Sequence, residues 1–169
     1  MSFLELAGQR YSVRKYTEQP VEPEKLAQIL EAGRLAPTAK NLQPQRIYVL
    51  QSDEALAKLA ALTHCGYGAK TVLLFAYDET EEWKHPSEAG VHAGVEDVSI
   101  VATHIMLEAA DLGLGSCWCN MFPNAAVERA FGLPETERTV LVMPIGYPAM
   151  GPGPLHEKSR PLDETVRYL

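Results

Sequence analysis

Residues 71–77, TVLLFAY, form a continuous apolar run of strand length. A bilayer span needs about 20 apolar residues, so this run is far too short to be one. It also lacks the alternation of a strand with one wet face. It reads as a strand buried on both faces. That segment constrains the chain more than any other, because apolar layers must cover both sides of the sheet that contains it.

The rest of the chain offers such layers. Ser2-Phe3-Leu4-Glu5 matches a capping box and opens a short helix, which Gly8 stops. Pro23 suits a first helical residue, and Leu26, Ile29, Leu30 and Gly33 follow at helical spacing. The pair Ala36-Pro37 ends that helix, since a residue before proline avoids the helical region. Ser52 caps a third helix, with Asp53 and Glu54 in its first turn. Residues 90–112 predict a long helix ending at Gly113, and Asn124 caps another that ends near Phe131-Gly132. Strands are predicted over residues 46–50, 114–119 and 139–145.

Strands alternating with helices predict an α/β three-layer sandwich, built as a single domain over residues 1–169. Periodicity leaves strand order open. The apolar positions of the 90–112 helix cover more than one stripe, so two sides need covering. The sheet supplies one cover, and a second subunit is the simplest other. From Gly146 onward the chain is Gly, Pro and charge, a tail that is disordered or wraps a neighbour.

The net charge of -7 argues against a nucleic-acid backbone as partner. The N-terminus lacks the apolar core of a signal peptide, and no apolar run reaches membrane length. Three cysteines, Cys65, Cys117 and Cys119, do not make a secreted disulfide framework, which places the chain in a reducing cytosol. No His, Cys or carboxylate spacing fits a metal site, and no carboxylate pair or nucleophile–histidine order suits acid–base or covalent catalysis. Cys117 and Cys119 fall on one face of a strand, where buried thiols act as small hydrophobes.

Four other segments carry polar chemistry. Arg10, Ser12 and Arg14 lie in one run with Lys15, and guanidinium forks suit phosphate. Residues 36–45 (APTAKNLQPQ) offer hydroxyl and amide groups that can read a heteroaromatic edge. Residues 113–120 (GLGSCWCN) miss the spacing of a dinucleotide fingerprint. Lys158 and Arg160 add two cations in the tail.

Taken in order, Arg-x-Ser-x-Arg-x-Tyr, Ala-Pro-Thr-Ala-x-Asn-x-Gln-Pro, Leu-Gly-Leu-Gly-Ser-Cys-Trp, Phe-Gly-Leu-Pro, Pro-Ile-Gly-Tyr-Pro and Lys-Ser-Arg-Pro resemble the FMN-dependent nitroreductase family. The match runs from about Arg10 to Arg160. It implies a nitroreductase-like fold with a central mixed sheet, an intimate homodimer with FMN at the interface, and a C-terminal tail crossing onto the partner subunit. It implies NADH or NADPH as hydride donor and a nitroaromatic, quinone or similar electron-poor molecule as acceptor, in ping-pong alternation. By the same resemblance Arg10, Lys158 and Arg160 clamp the FMN phosphate, and Ser12 and Arg14 lie near the pyrimidine edge of the flavin. Pro37, Thr38 and Asn41 belong to the segment given by the partner, and Asn120 and Met121 place backbone groups near N5. Hydride chemistry of this kind requires no catalytic side chain. Gln45, Met121 and Ala69-Lys70 depart from the residues common in the family. Alternatives are a specialised flavin enzyme of the same fold and a flavin-binding redox sensor of little turnover that uses Cys117 and Cys119.

Overall fold

The computed structural model describes residues 2–169. Six helices, α1 (Phe3–Gln9), α2 (Pro23–Arg34), α3 (Asp53–Ala60), α4 (Gly94–Asp111), α5 (Asn124–Phe131) and α6 (Leu162–Thr165), surround four strands. The strands are β1 (Gln45–Leu50), β2 (Thr71–Asp78), β3 (Gly115–Ser116) and β4 (Glu137–Gly146), with short 3-10 turns at Ala39–Asn41 and His64–Gly66.

The sheet has the order β1-β2-β4-β3. The run TVLLFAY is its centre: residues 72–76 are 0% exposed. Both faces are covered, as its composition requires. On one face Leu73, Phe75, Leu141, Met143 and Ile145 meet Ile29 of α2 and Val98, Val101 and Ile105 of α4. On the other, Val72, Leu74 and Val142 meet Leu59 of α3, Val127 of α5 and the three cysteines. The result is the expected three-layer sandwich. Its strand ladders are all antiparallel, so the sheet is mixed only through an isolated parallel bridge between Ser12 and Ser116.

The sequence-based boundaries hold where the signals are local. The Ser2 capping box is formed, Ser52 caps α3, and Gly132 ends α5 in the left-handed region at φ 65°. Helix α1 runs through Gly8, the expected stop, to Gln9 and is capped by Arg10, and three other elements differ. Residues 114–119 give only a two-residue strand, because Pro144 on β4 has no N–H to continue the ladder; pairing returns for one residue, Cys119 with Val142. Helix α4 starts at Gly94 rather than residue 90. There Glu82, from the preceding loop, accepts the Gly94 N–H at 2.9 Å and faces His92 Nδ1 at 2.7 Å. Asn124 is the first residue of α5, not its cap, and its side-chain amide donates to Thr139 of β4.

The outer side of α4 leaves Val95 and Ile100 exposed, with Leu35, Leu42 and Val91 also exposed. Among residues 151–169 only His156 is partly buried. This segment ends in the single-turn α6, for which the sequence shows no periodicity. No helix among the described residues is long and apolar enough to cross a membrane.

Candidate functional site

Arg10 closes α1, and the chain then runs extended along β3. Val13 N–H donates to the Ser116 carbonyl at 2.9 Å, and Val13 is 2% exposed. Side chains alternate along an extended segment, so burying Val13 turns Ser12 and Arg14 outward. Tyr16 fixes the far end by donating its hydroxyl to the carbonyls of Val13 and Pro144, at 2.7 and 3.1 Å. Burial pushes the Tyr16 hydroxyl far above its ordinary pKa, so it stays a neutral donor.

The tail folds back over this segment. Ala149 N–H donates to the Lys15 carbonyl at 2.9 Å. The Tyr11 hydroxyl donates to the Met150 carbonyl at 2.7 Å, and the Tyr11 and His156 rings meet edge-on at 5.9 Å. Between them lies a cleft of about 370 Å³, lined by Arg10, Tyr11, Ser12, Arg14 and residues 153–156. No carboxylate lines it, and among the described residues neither Arg10 nor Arg14 forms an ion pair. Two guanidinium groups without a carboxylate, in a chain of net charge -7, leave local positive charge for an anionic ligand. Lys158 follows His156 by two residues. Arg160 is exposed and lies only 3.8 Å from Glu164. Neither lines the cleft.

Beneath Arg14 lie the cysteines. The neighbouring Cys117 raises the Arg14 guanidinium above its ordinary pKa, with help from the Tyr67 hydroxyl. A hydrogen bond from Cys119 pulls the Cys117 thiol below its ordinary pKa, with Arg14, Ser12 and Arg10 adding to the effect. The same bond and burial push Cys119 up. Both thiols point into the apolar layer under the sheet, which agrees with the one-face placement. No cluster of three metal-ligating side chains occurs among the described residues.

The Asn120 side chain is held in place by two bonds within the chain. Its amide donates to the Val140 carbonyl at 2.8 Å, and its oxygen accepts the Trp118 indole N–H at 2.6 Å. Met121 gives its carbonyl to Thr63 and Cys65, at 3.0 and 3.2 Å, while its side chain is 69% exposed. Recognition at this pair is open to the remaining backbone groups, the second Asn120 amide N–H and the thioether.

Pro37, Thr38 and Asn41 occupy a separate turn and do not line the cleft. Lys40, Asn41 and Gln43 have φ of 52°, 56° and 54°. Left-handed backbone at a non-glycine residue costs of order 1–3 kcal/mol and clusters at functional sites. Local bonds hold the shape: Gln43 N–H donates to Thr38 Oγ1 at 3.0 Å, and Gln43 Nε2 to Asn41 Oδ1 at 3.1 Å. Within one chain the candidate residues thus form three groups, the basic cleft, the Asn120–Met121 pair and the strained turn, with Lys158 and Arg160 apart from all three in the exposed tail. Sequence reasoning missed Tyr67, beside Arg14, and His156, across from Tyr11. Tyr67 and Gly68 both have positive φ just before β2, a backbone shape that the sequence does not announce at Tyr67.

A family model described as Nitroreductase family matches residues 7–67 and 64–147. A protein of Methanothermobacter thermautotrophicus named as an NADH dehydrogenase/NAD(P)H nitroreductase is 32% identical over 160 residues, covering 90% of this chain and 81% of its own. The crystal structure of a nitroreductase family protein from Clostridium difficile 630 superposes with a TM-score of 0.93 at 38% identity, covering 99% of this chain and 98% of that one. A second C. difficile structure, an FMN-dependent nitroreductase from strain R20291, gives a TM-score of 0.74 at 28% identity over 98% and 95% of the two chains.

Proposed function

Because this chain belongs to the nitroreductase family, we propose that it is an FMN-dependent NAD(P)H oxidoreductase working as a homodimer, with residues 1–169 as one flavin-binding domain. The observation that carries the cofactor assignment is the basic cleft without a carboxylate. Its residues fit an FMN phosphate: Arg10 at the wall supplies a planar fork, and Lys158 and Arg160, which follow His156 in the chain but stand outside the lining, would complete the clamp. Ser12 and Arg14 point outward from the same strand-like segment and would hold the pyrimidine edge. The backbone at Asn120 and Met121 would face the central ring. A bound FMN would supply hydride chemistry, from NADH or NADPH to a nitroaromatic, quinone or similar acceptor. The chain's own task is then to bind, orient and polarise. Three free cysteines suit a reducing compartment, and we assign the chain to the cytoplasm.

The experiment is direct. Purified protein should be yellow and should oxidise NADH or NADPH steadily when an electron acceptor saturates. One reduction per flavin without turnover would favour the redox-sensor reading instead, in which Cys117 and Cys119 act.

Assembly gives a second test. The exposed Val95 and Ile100 on α4, the strained turn and the exposed apolar side chains of the tail, among them Leu155 and Leu162, would be covered by the partner, bringing Pro37, Thr38 and Asn41 to its flavin. Light scattering of the FMN-loaded protein at micromolar concentration should report a dimer. A monomer with flavin bound contradicts the shared site.

Arg14 gives a third. A fixed cation at the ring edge favours the more negative reduced state. Arg14→Ala should lower the reduction potential of bound FMN by roughly 30 mV or more, the equivalent of about 1.4 kcal/mol for two electrons. Weakened binding at an unchanged potential would move Arg14 into the phosphate clamp.

A further inference from the structure

Asp97 lies in the first turns of α4 and is 2% exposed. Its Oδ1 accepts the Ala39 N–H at 2.7 Å, across 58 residues of sequence. Its Oδ2 is buried with no partner among the described residues. A half-satisfied buried carboxylate is costly to a fold, and an apolar side chain would pack there more cheaply. Desolvation raises its pKa, and the Ala39 amide opposes the rise. The bond reaches one place, the start of the strained turn. Ala39 follows Thr38 and precedes Lys40, Asn41 and Gln43, the three non-glycine residues with φ between 52° and 56°. The turn's other bonds, Asn41 N–H to the Thr38 carbonyl and Leu42 N–H to the Ala39 carbonyl, close it on itself. Asp97 ties it to the helix layer.

We propose that Asp97 is a positioning residue: its carboxylate holds the turn of residues 38–43 in the one backbone shape that presents Pro37, Thr38 and Asn41 to the flavin. This rests on the assignment of that turn to the flavin site. A turn held in advance binds without the cost of ordering it.

The test uses the full chain, stripped of flavin and then titrated with FMN. In Asp97→Ala, the amides of Asn41, Leu42 and Gln43 should exchange with deuterium at least about ten-fold faster than in the parent. FMN should bind at least about ten-fold more weakly, and the visible band of the bound flavin should shift. Asp97→Asn keeps an acceptor oxygen and should restore all three readouts to within about three-fold of the parent. In the unsubstituted chain the Ala39 amide should exchange at least about ten-fold slower than the Lys40 amide, a reading that stands even if Asp97→Ala does not fold. Unchanged turn amides in Asp97→Ala, or an unprotected Ala39 amide, overturn the role of Asp97. Asn41→Ala and Thr38→Ala separate the two ideas. If neither alters FMN affinity while Asp97→Ala loosens the turn, the site assignment is what fails, and the proposal fails with it.

Discussion

Arg10→Ala is expected to weaken FMN binding by about 1.5–3 kcal/mol, the scale of a hydrogen bond to a charged group, or roughly ten- to 150-fold. The guanidinium lines the cleft and has no carboxylate partner among the described residues. Its loss should therefore leave the fold of the flavin-free protein intact. Titration of that protein with FMN and with riboflavin distinguishes the roles, because riboflavin lacks the phosphate. FMN affinity should fall while riboflavin affinity holds. An equal loss for both ligands would place Arg10 against the ring instead. The FMN advantage should also shrink with salt, since the cleft opens to solvent and exposed charge interactions are screened.

Gly115→Ala is the second large effect. A Cβ built on Gly115 would collide with the Val13 side chain and come within 2.9 Å of Pro148 Cγ. Val13 carries the segment that holds Arg10, Ser12 and Arg14, and Pro148 begins the tail that closes the cleft. A methyl group here drives both off β3. Overpacking of this kind costs about 1–3 kcal/mol, so Tm should fall by roughly 2–12 °C for a chain of this size. FMN affinity should fall with it, because the cleft loses its floor. Gly8→Ala is the control. A Cβ there meets nothing within 4 Å, and replacing a helical glycine stabilises by about 0.5–1 kcal/mol. An unchanged Tm in Gly115→Ala would mean that the segment is not seated on β3.

How much of this was legible varied with distance along the chain. The Ser2-to-Glu5 capping box closes within three residues, so the pattern alone placed α1. The Ser52 cap of α3 is equally local. The run at residues 71–77 demanded two covers whatever they were, and the three-layer sandwich follows from that. The order of polar motifs placed the chain in its family before any element was seen.

What failed was nonlocal. The strand over residues 114–119 shortened because Pro144, some 28 residues later, sits opposite with no donor. The start of α4 moved because Glu82, twelve residues earlier, caps it. Nothing in the local pattern of residues marks Asp97, and only folding sets its carboxylate on Ala39.

Sequence by itself determined the helices with local caps, the buried central strand, the layer count and the inventory of cations. Each depends on spacing within about one or two turns, or on side-chain polarity, and both are written in the order of residues. The tertiary structure decided the strand order β1-β2-β4-β3, the seating of the tail on residues 10–16, and the separation of the turn of residues 38–43 from the basic cleft. Those depend on which distant surfaces exclude water together and which buried polar groups find partners, and that free energy belongs to the packed chain as a whole.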